Sequence, residues 1–260
     1  HMMDSYRRTD NPDALLLTNL DYLQWKRRTD PGFRPYHAPE GRIGLTQDPY
    51  LAALNKLIAE NQSRDICAEV YLLKAQEAVN AGVPASGLQL CDEAISRYPA
   101  YHRINALREL KQDILSPDFT VQTPSAVYPG EEFDLKVSFK NLKSFAVQLY
   151  AINLPVRPNA VEVPDETFLK KYGRLLSSVH YVLFPSGDYK MQDSIFHMKA
   201  PETGLYALRI VPDAEVRSNS AKFLSSTRFK VLTRSLPSKL SEVAVLDDMS
   251  GKPIEGVLLS

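Results

Sequence analysis

The chain has 260 residues, enough for two ordinary domains and ample to bury a core. Its 31 basic and 31 acidic side chains balance, and no basic run is longer than Lys26-Arg27-Arg28, so the charge gives no reason to expect a nucleic-acid or anionic-membrane partner. The apolar (44%) and charged (24%) fractions are those of a globular protein, and no apolar run reaches the roughly 18–20 residues of a membrane span.

His1-Met2 ahead of Met3 has the form of a scar left by a cleaved affinity tag and is set aside. Helical spacing then dominates up to Leu115. A first helix is predicted over about Pro12 to Arg28, followed by a loop rich in proline and glycine from Asp30 to Thr46. Asp48-Pro49 is an N-cap with proline at the first helical position, and Leu51, Leu54, Leu57 and Ile58 follow at helical spacing. A second helix of this group runs from Asp65 to about Asn80 and is broken by Ala81-Gly82-Val83-Pro84. A third covers about Ala85 to Arg97 and stops before Pro99, because the residue ahead of proline avoids the helical region. A fourth, from about His102 to Leu115, carries Ile104, Leu107, Leu110 and Ile114. Trp25, alone of its kind, reads as a docking residue for its helix.

From Pro117 the period becomes two. Phe133, Leu135, Val137 and Phe139 alternate with Asp134, Lys136, Ser138 and Lys140, the pattern of a half-buried strand. Phe119–Thr123, Ala146–Asn153, Val179–Phe184, Ser194–Lys199, Leu205–Val211 and Thr227–Leu232 are further strand candidates. Seven short strands separated by turns predict a β-sandwich. Pro164 to Ser178 is helix-like and is predicted to be an insertion between strands. After Leu236-Pro237, Val243, Val245 and Leu246, the turn Ser250-Gly251-Lys252-Pro253, and Ile254, Val257 and Leu258 predict the opening hairpin of another β-domain. The fold class is therefore α+β and multidomain, with divisions at residues 3–115, 117–236 and 238–260.

Within the helical part, Ala75, Ala78, Gly87, Cys91, Ala94 and Pro99 follow the small-residue ladder of a tetratricopeptide repeat. Two antiparallel helices approach closely only where small residues face each other. Such a unit supplies either a peptide-binding groove or a spacer. A single repeat favours the spacer, since a groove needs several stacked units. The same register places Cys67 and Cys91 roughly 13 Å apart at a rise of about 1.5 Å per residue, beyond the about 7 Å reach of a disulfide, so no 67–91 bond is expected.

In the β part, "SPDFTVQTPSAVYPGEEFDLKVSFKNLKSFAVQLYAINL" (Ser116 to Leu154) precedes "APETGLYALRIVPD" (Ala200 to Asp213), whose Gly204-Leu205-Tyr206 has the form of a tyrosine corner. With the closing "LDDMSGKPIEGVLL", this order resembles the macroglobulin-like domains of bacterial α2-macroglobulin family proteins, in particular large members that begin with a tetratricopeptide-like helical region. Asp248, Ser250, Gly251, Lys252, Pro253 and Gly256 stand in the opening pattern of the second such domain. The resemblance covers about Ala68 to the end. It implies an immunoglobulin-like sandwich of macroglobulin type. It also implies an N-terminal piece of a longer protein cut just inside the next domain, and an extracytoplasmic location, periplasmic or associated with the outer membrane. The family's reactive chemistry, an internal thioester at Cys-Gly-Glu-Gln, has no counterpart here.

No catalytic, cofactor-binding or metal-ligating residues are identified. His37, His102, His180 and His197 lack the spacing of a metal motif, although His180 and His197 sit on strands that could meet across a sheet. No nucleophile elbow or phosphate loop is present. Asp247-Asp248 lacks the ligand count of a calcium site. The resemblance implies a non-enzymatic structural module of a protein that inhibits or entraps proteases, or serves envelope defence. Its partners would be downstream domains of the same chain, together with proteases or other proteins. The alternative is a tetratricopeptide and immunoglobulin-like adaptor that binds a peptide, protein or glycan. Nucleic acid is not an expected partner.

Overall fold

The computed structural model describes residues 11–33, 48–153, 164–216, 221–235, 237 and 241–257. The chain is α+β and divides into a helical unit, which runs to Ser116 and takes in Ser186–Lys190, and a β-rich unit, which spans Pro117–Pro185 and resumes at Met191. His37 and the end of the predicted Ile254–Leu259 strand lie outside the described residues, as does most of the loop from Asp30 to Thr46.

The helical unit contains α1 (Pro12–Thr29), a short 3-10 turn (Pro31–Phe33), α2 (Pro49–Asn61), α3 (Cys67–Asn80), α4 (Pro84–Arg97) and α5 (Asn105–Leu115). The starts follow from their caps. Asn11 accepts from the Ala14 N–H at 3.1 Å and Asp48 from the Tyr50 N–H at 2.8 Å, each with proline next in the chain. The α3–α4 turn needs Gly82, whose φ is +74°. That left-handed residue lets the Gly82 and Val83 N–H groups close back on the Val79 and Ala78 carbonyls, and Pro84 then opens α4. The core is built from Leu16, Leu20, Tyr50, Leu54, Val70, Ala75, Cys91, Ala94 and Leu107, among others. Each large apolar side chain so buried contributes roughly 1.5–3 kcal/mol.

The β-rich unit contains two sheets around one core. The strands are β1 (Asp118–Gln122), β2 (Ala126–Val127), β3 (Glu132–Lys140), β4 (Ser144–Ile152), β5 (Gly173–Val182), β6 (Gln192–Lys199), β7 (Gly204–Pro212), β8 (Ala221–Ser226), β9 (Phe229–Ser235) and β10 (Ser241–Asp247). One sheet has the order β1-β3-β6, the other β2-β8-β7-β4-β5, and all pairings are antiparallel except β2 with β8. Phe133, Leu135, Val137 and Phe139 of β3 are buried as the alternation predicts. They share a core with Phe119, Phe145, Val147, Leu208 and Leu224 from both sheets. Phe119 and Phe196 from the three-stranded sheet both pack against Phe145 of the other, the first tilted and the second edge-on, with ring centroids 5.2 and 5.3 Å away.

Three expectations are corrected. The helix predicted to reach Ser178 is α6 (Glu166–Tyr172), which stops at Gly173. A Cβ at Gly173 would lie 2.6 Å from the Leu169 carbonyl oxygen, so this close exit suits glycine alone, and the chain then pairs with β4 as β5. Phe168 and Leu169 of α6 form a small second core with Ala207. The strand predicted at Thr227–Leu232 is β9, and it pairs with β10 rather than with either large sheet. The expected boundary at Leu236-Pro237 therefore falls in the connection between two paired strands. The partner expected for Glu242–Leu246 was the segment after Pro253. The chain does turn back there, at Gly251 with φ +65°, and the return makes an isolated Leu246–Pro253 bridge rather than a strand, with the Asp247 N–H donating to the Lys252 carbonyl and the Ile254 N–H to the Val245 carbonyl, each at 2.9 Å.

Candidate functional site

The tyrosine corner is built as its sequence suggests. The Tyr206 hydroxyl donates to the Glu202 carbonyl at 2.8 Å, tying the start of β7 to the chain four residues earlier. A Cβ at Gly204 would meet the Tyr206 ring at 3.2 Å, so the ring lies over a position kept bare. Beside it, the buried Ser226 hydroxyl donates to the Pro201 carbonyl at 2.7 Å. Both bonds hold one end of the β7–β8 pair in place, and neither activates a nucleophile.

The small-residue ladder forms the α3–α4 contact. Ala75, Gly87, Cys91 and Ala94 are buried, Ala78 is half-buried, and Pro99 is exposed. A Cβ at Gly87 would sit 2.9 Å from Val79 Cγ2 and 3.0 Å from the Ala75 carbonyl oxygen, so the absent side chain sets the approach of the two helices. Cys91 lies midway along this contact, and burial, then the Asp92 charge, pushes its thiol up to about 11. Cys67 sits at the start of α3 and burial raises its thiol as well. Both are free. Thiols held neutral this way are packing groups, not nucleophiles.

The strongest polar cluster went unnoticed in the sequence. Arg27 of α1 donates from Nη1 to both Asp48 carboxylate oxygens at 2.8 and 2.7 Å and to the Phe33 carbonyl at 2.8 Å. Its Nη2 donates to Glu77 at 2.9 Å, and the guanidinium stacks 4.8 Å from the Tyr50 ring centre. Asp48 is thus at once the cap of α2 and the anchor of α1. Glu77 brings in α3. The arrangement is a tie between helices, and no local motif announces it because its carboxylate partners are 21 and 50 residues from Arg27. Buried Glu69 is likewise satisfied, by the Tyr101 hydroxyl at 2.7 Å and Arg103 at 3.1 Å.

The two strand histidines do not meet. His180 is on β5 opposite Ala146 in the five-stranded sheet, whereas His197 is on β6 of the other sheet, opposite Asp134 and 2.9 Å from its carboxylate. Among the described residues no group of three His, Cys, Asp or Glu side chains is placed to hold a metal ion. Asp247 is used in its turn. Its carboxylate accepts from the Ser250 N–H at 2.8 Å and the Ser250 hydroxyl at 2.7 Å, and these bonds, the N–H first, hold its pKa below the ordinary value.

Trp25 is not the docking residue expected. The buried face of α1 is Leu16 and Leu20, continued by Leu23 and Arg27 at three- and four-residue steps. Trp25 falls on the opposite side, 53% exposed and stacked on Tyr22 at 6.0 Å. Open polar hollows lie among the described residues. One of about 540 Å³ is lined by Gln122, Thr123, Glu132, Asp134 and Lys136, and one of about 510 Å³ by Asp13, Arg64, Asp65, Tyr101 and His102.

The most conspicuous surface feature is the ribbon β9–β10. One face carries Phe229, Val231 and Thr233 opposite Asp247, Val245 and Val243. The other carries Lys230, Leu232 and Arg234 opposite Leu246, Ala244 and Glu242. Phe229, Val231 and Val243 on the first face are 50%, 56% and 37% exposed. Leu232 on the second face is 47% exposed as well, so among the described residues the ribbon lies uncovered, its first face the more apolar.

No helix among the described residues is long and apolar enough to cross a membrane. No family model matches the sequence, and no curated protein matches it. Among solved structures, the chain is similar to a CARDB domain from Pyrococcus furiosus (14% identity, 43% of this chain and 88% of that one, TM-score 0.26). It is also similar to the sporulation control protein Spo0M from Bacillus subtilis (12% identity, 52% and 69%, TM-score 0.29). A third is a chitin binding domain from Burkholderia pseudomallei (15% identity, 39% and 56%, TM-score 0.26). At these scores none of the three assigns a fold family or a function to this chain.

Proposed function

We propose that the chain is a non-catalytic structural module of a large bacterial α2-macroglobulin-like protein, one that entraps or inhibits proteases or serves envelope defence. In this reading the helical unit is a tetratricopeptide-like spacer and the two-sheet body is an immunoglobulin-like sandwich of macroglobulin type. The ribbon opens a further domain, whose start we place at Phe229 instead of residue 238. The observation that supports the reading best is the uncovered apolar face of β9–β10. A lone two-stranded ribbon is marginal in water, and this face suits strands over which more β structure is to pack. The Tyr206 corner and the Gly87 contact fit the two folds named. The partners of the module are further domains of the same chain, and the whole protein meets proteases in an extracytoplasmic compartment.

The test uses the natural full-length protein incubated with an endoprotease. Entrapment requires that the chain be cut and that hydrolysis of a large protein substrate then fall while hydrolysis of a small peptide substrate persists. Unchanged rates on both substrates would overturn the reading.

A further inference from the structure

We draw no further inference here: the strongest candidate, the exposed apolar side chains Val179 and Val182 of β5 and Ile195 of β6, on the outer strands of the two sheets of the β-rich unit, is an unpartnered apolar face, and nothing in the structure shows what covers it.

Discussion

One hydroxyl fixes the turn into β7. Replacing Tyr206 with Phe keeps the ring over Gly204 and removes only the bond to the Glu202 carbonyl. Since a neutral hydrogen bond is worth about 1 kcal/mol net, Tyr206→Phe should lower the stability of the β-rich unit by that amount, read from urea unfolding of its tyrosine and β signals. An unchanged midpoint would show that the corner is ornamental. The corner was legible because Gly204 and Tyr206 are neighbours in sequence, and their geometry is local. The Arg27 tie was not, because its carboxylates come from α2 and α3 and leave no trace in local periodicity. Trp25 shows a different failure. Its side follows from the same helical stepping that marks Leu16 and Leu20 as buried, but its apolar neighbours in sequence suggested burial.

At the scale of elements, long periodic segments announced themselves and short or borrowed ones did not. The cap at Asp48 and the break at Gly82 gave two helix limits, and β3 carried its alternation in full. β8 was missed because its adjacent apolar pair serves two different cores, Phe223 against Phe168 of α6 and Leu224 between the two sheets, so no alternation shows. The start of β5 was misread as helix because Leu175 and Leu176 continue an apolar spacing that Gly173 has already ended. β9 was assigned to the sandwich because periodicity reveals a strand but not its partner. That correction changes the right truncation. Cutting after Arg228 removes β9 and β10 together and leaves β2, β7 and β8 paired. Stability of the remaining sandwich should match that of the whole chain within about a kcal/mol, the usual scale for changes that touch no core. A loss of several kcal/mol on thermal unfolding would mean that the ribbon belongs to the sandwich after all.

For the molecule as a whole, the titratable groups predict which unit fails first in alkali. In the helical unit, burial first and then the Glu77 charge push Tyr50 up to about 12. Burial first and then hydrogen bonding with Cys67 raise Tyr98 to about 12. Tyr71 and Tyr101 are raised mainly by burial and then by their bonds to Glu93 and Glu69, and Cys67 and Cys91 are raised as already described. In the β-rich unit, among the described residues, burial raises Tyr181. A raised acid binds its proton more tightly when folded, so its contribution is complete below the ordinary value, 9.0 for Cys and 10.0 for Tyr. The contribution is lost as pH climbs through the folded value. The helical circular-dichroism signal should therefore decline between about pH 9 and 12 ahead of the β signal. Simultaneous loss of both, or earlier loss of the β signal, would contradict this.

The central claim is that the β9–β10 ribbon is made to be covered by further protein of the same chain. Amide hydrogen exchange at Phe229–Ser235 and Ser241–Asp247 tests it most directly, measured in this chain and in the longer protein of which we propose it is a part. Here those amides should exchange quickly beside the strongly protected β3 and β7, because among the described residues no layer packs on the ribbon's apolar face and local opening costs little. In the full-length protein they should slow by at least about tenfold, a stabilisation of about 1.4 kcal/mol. Equal exchange of the ribbon in the two proteins would contradict the account.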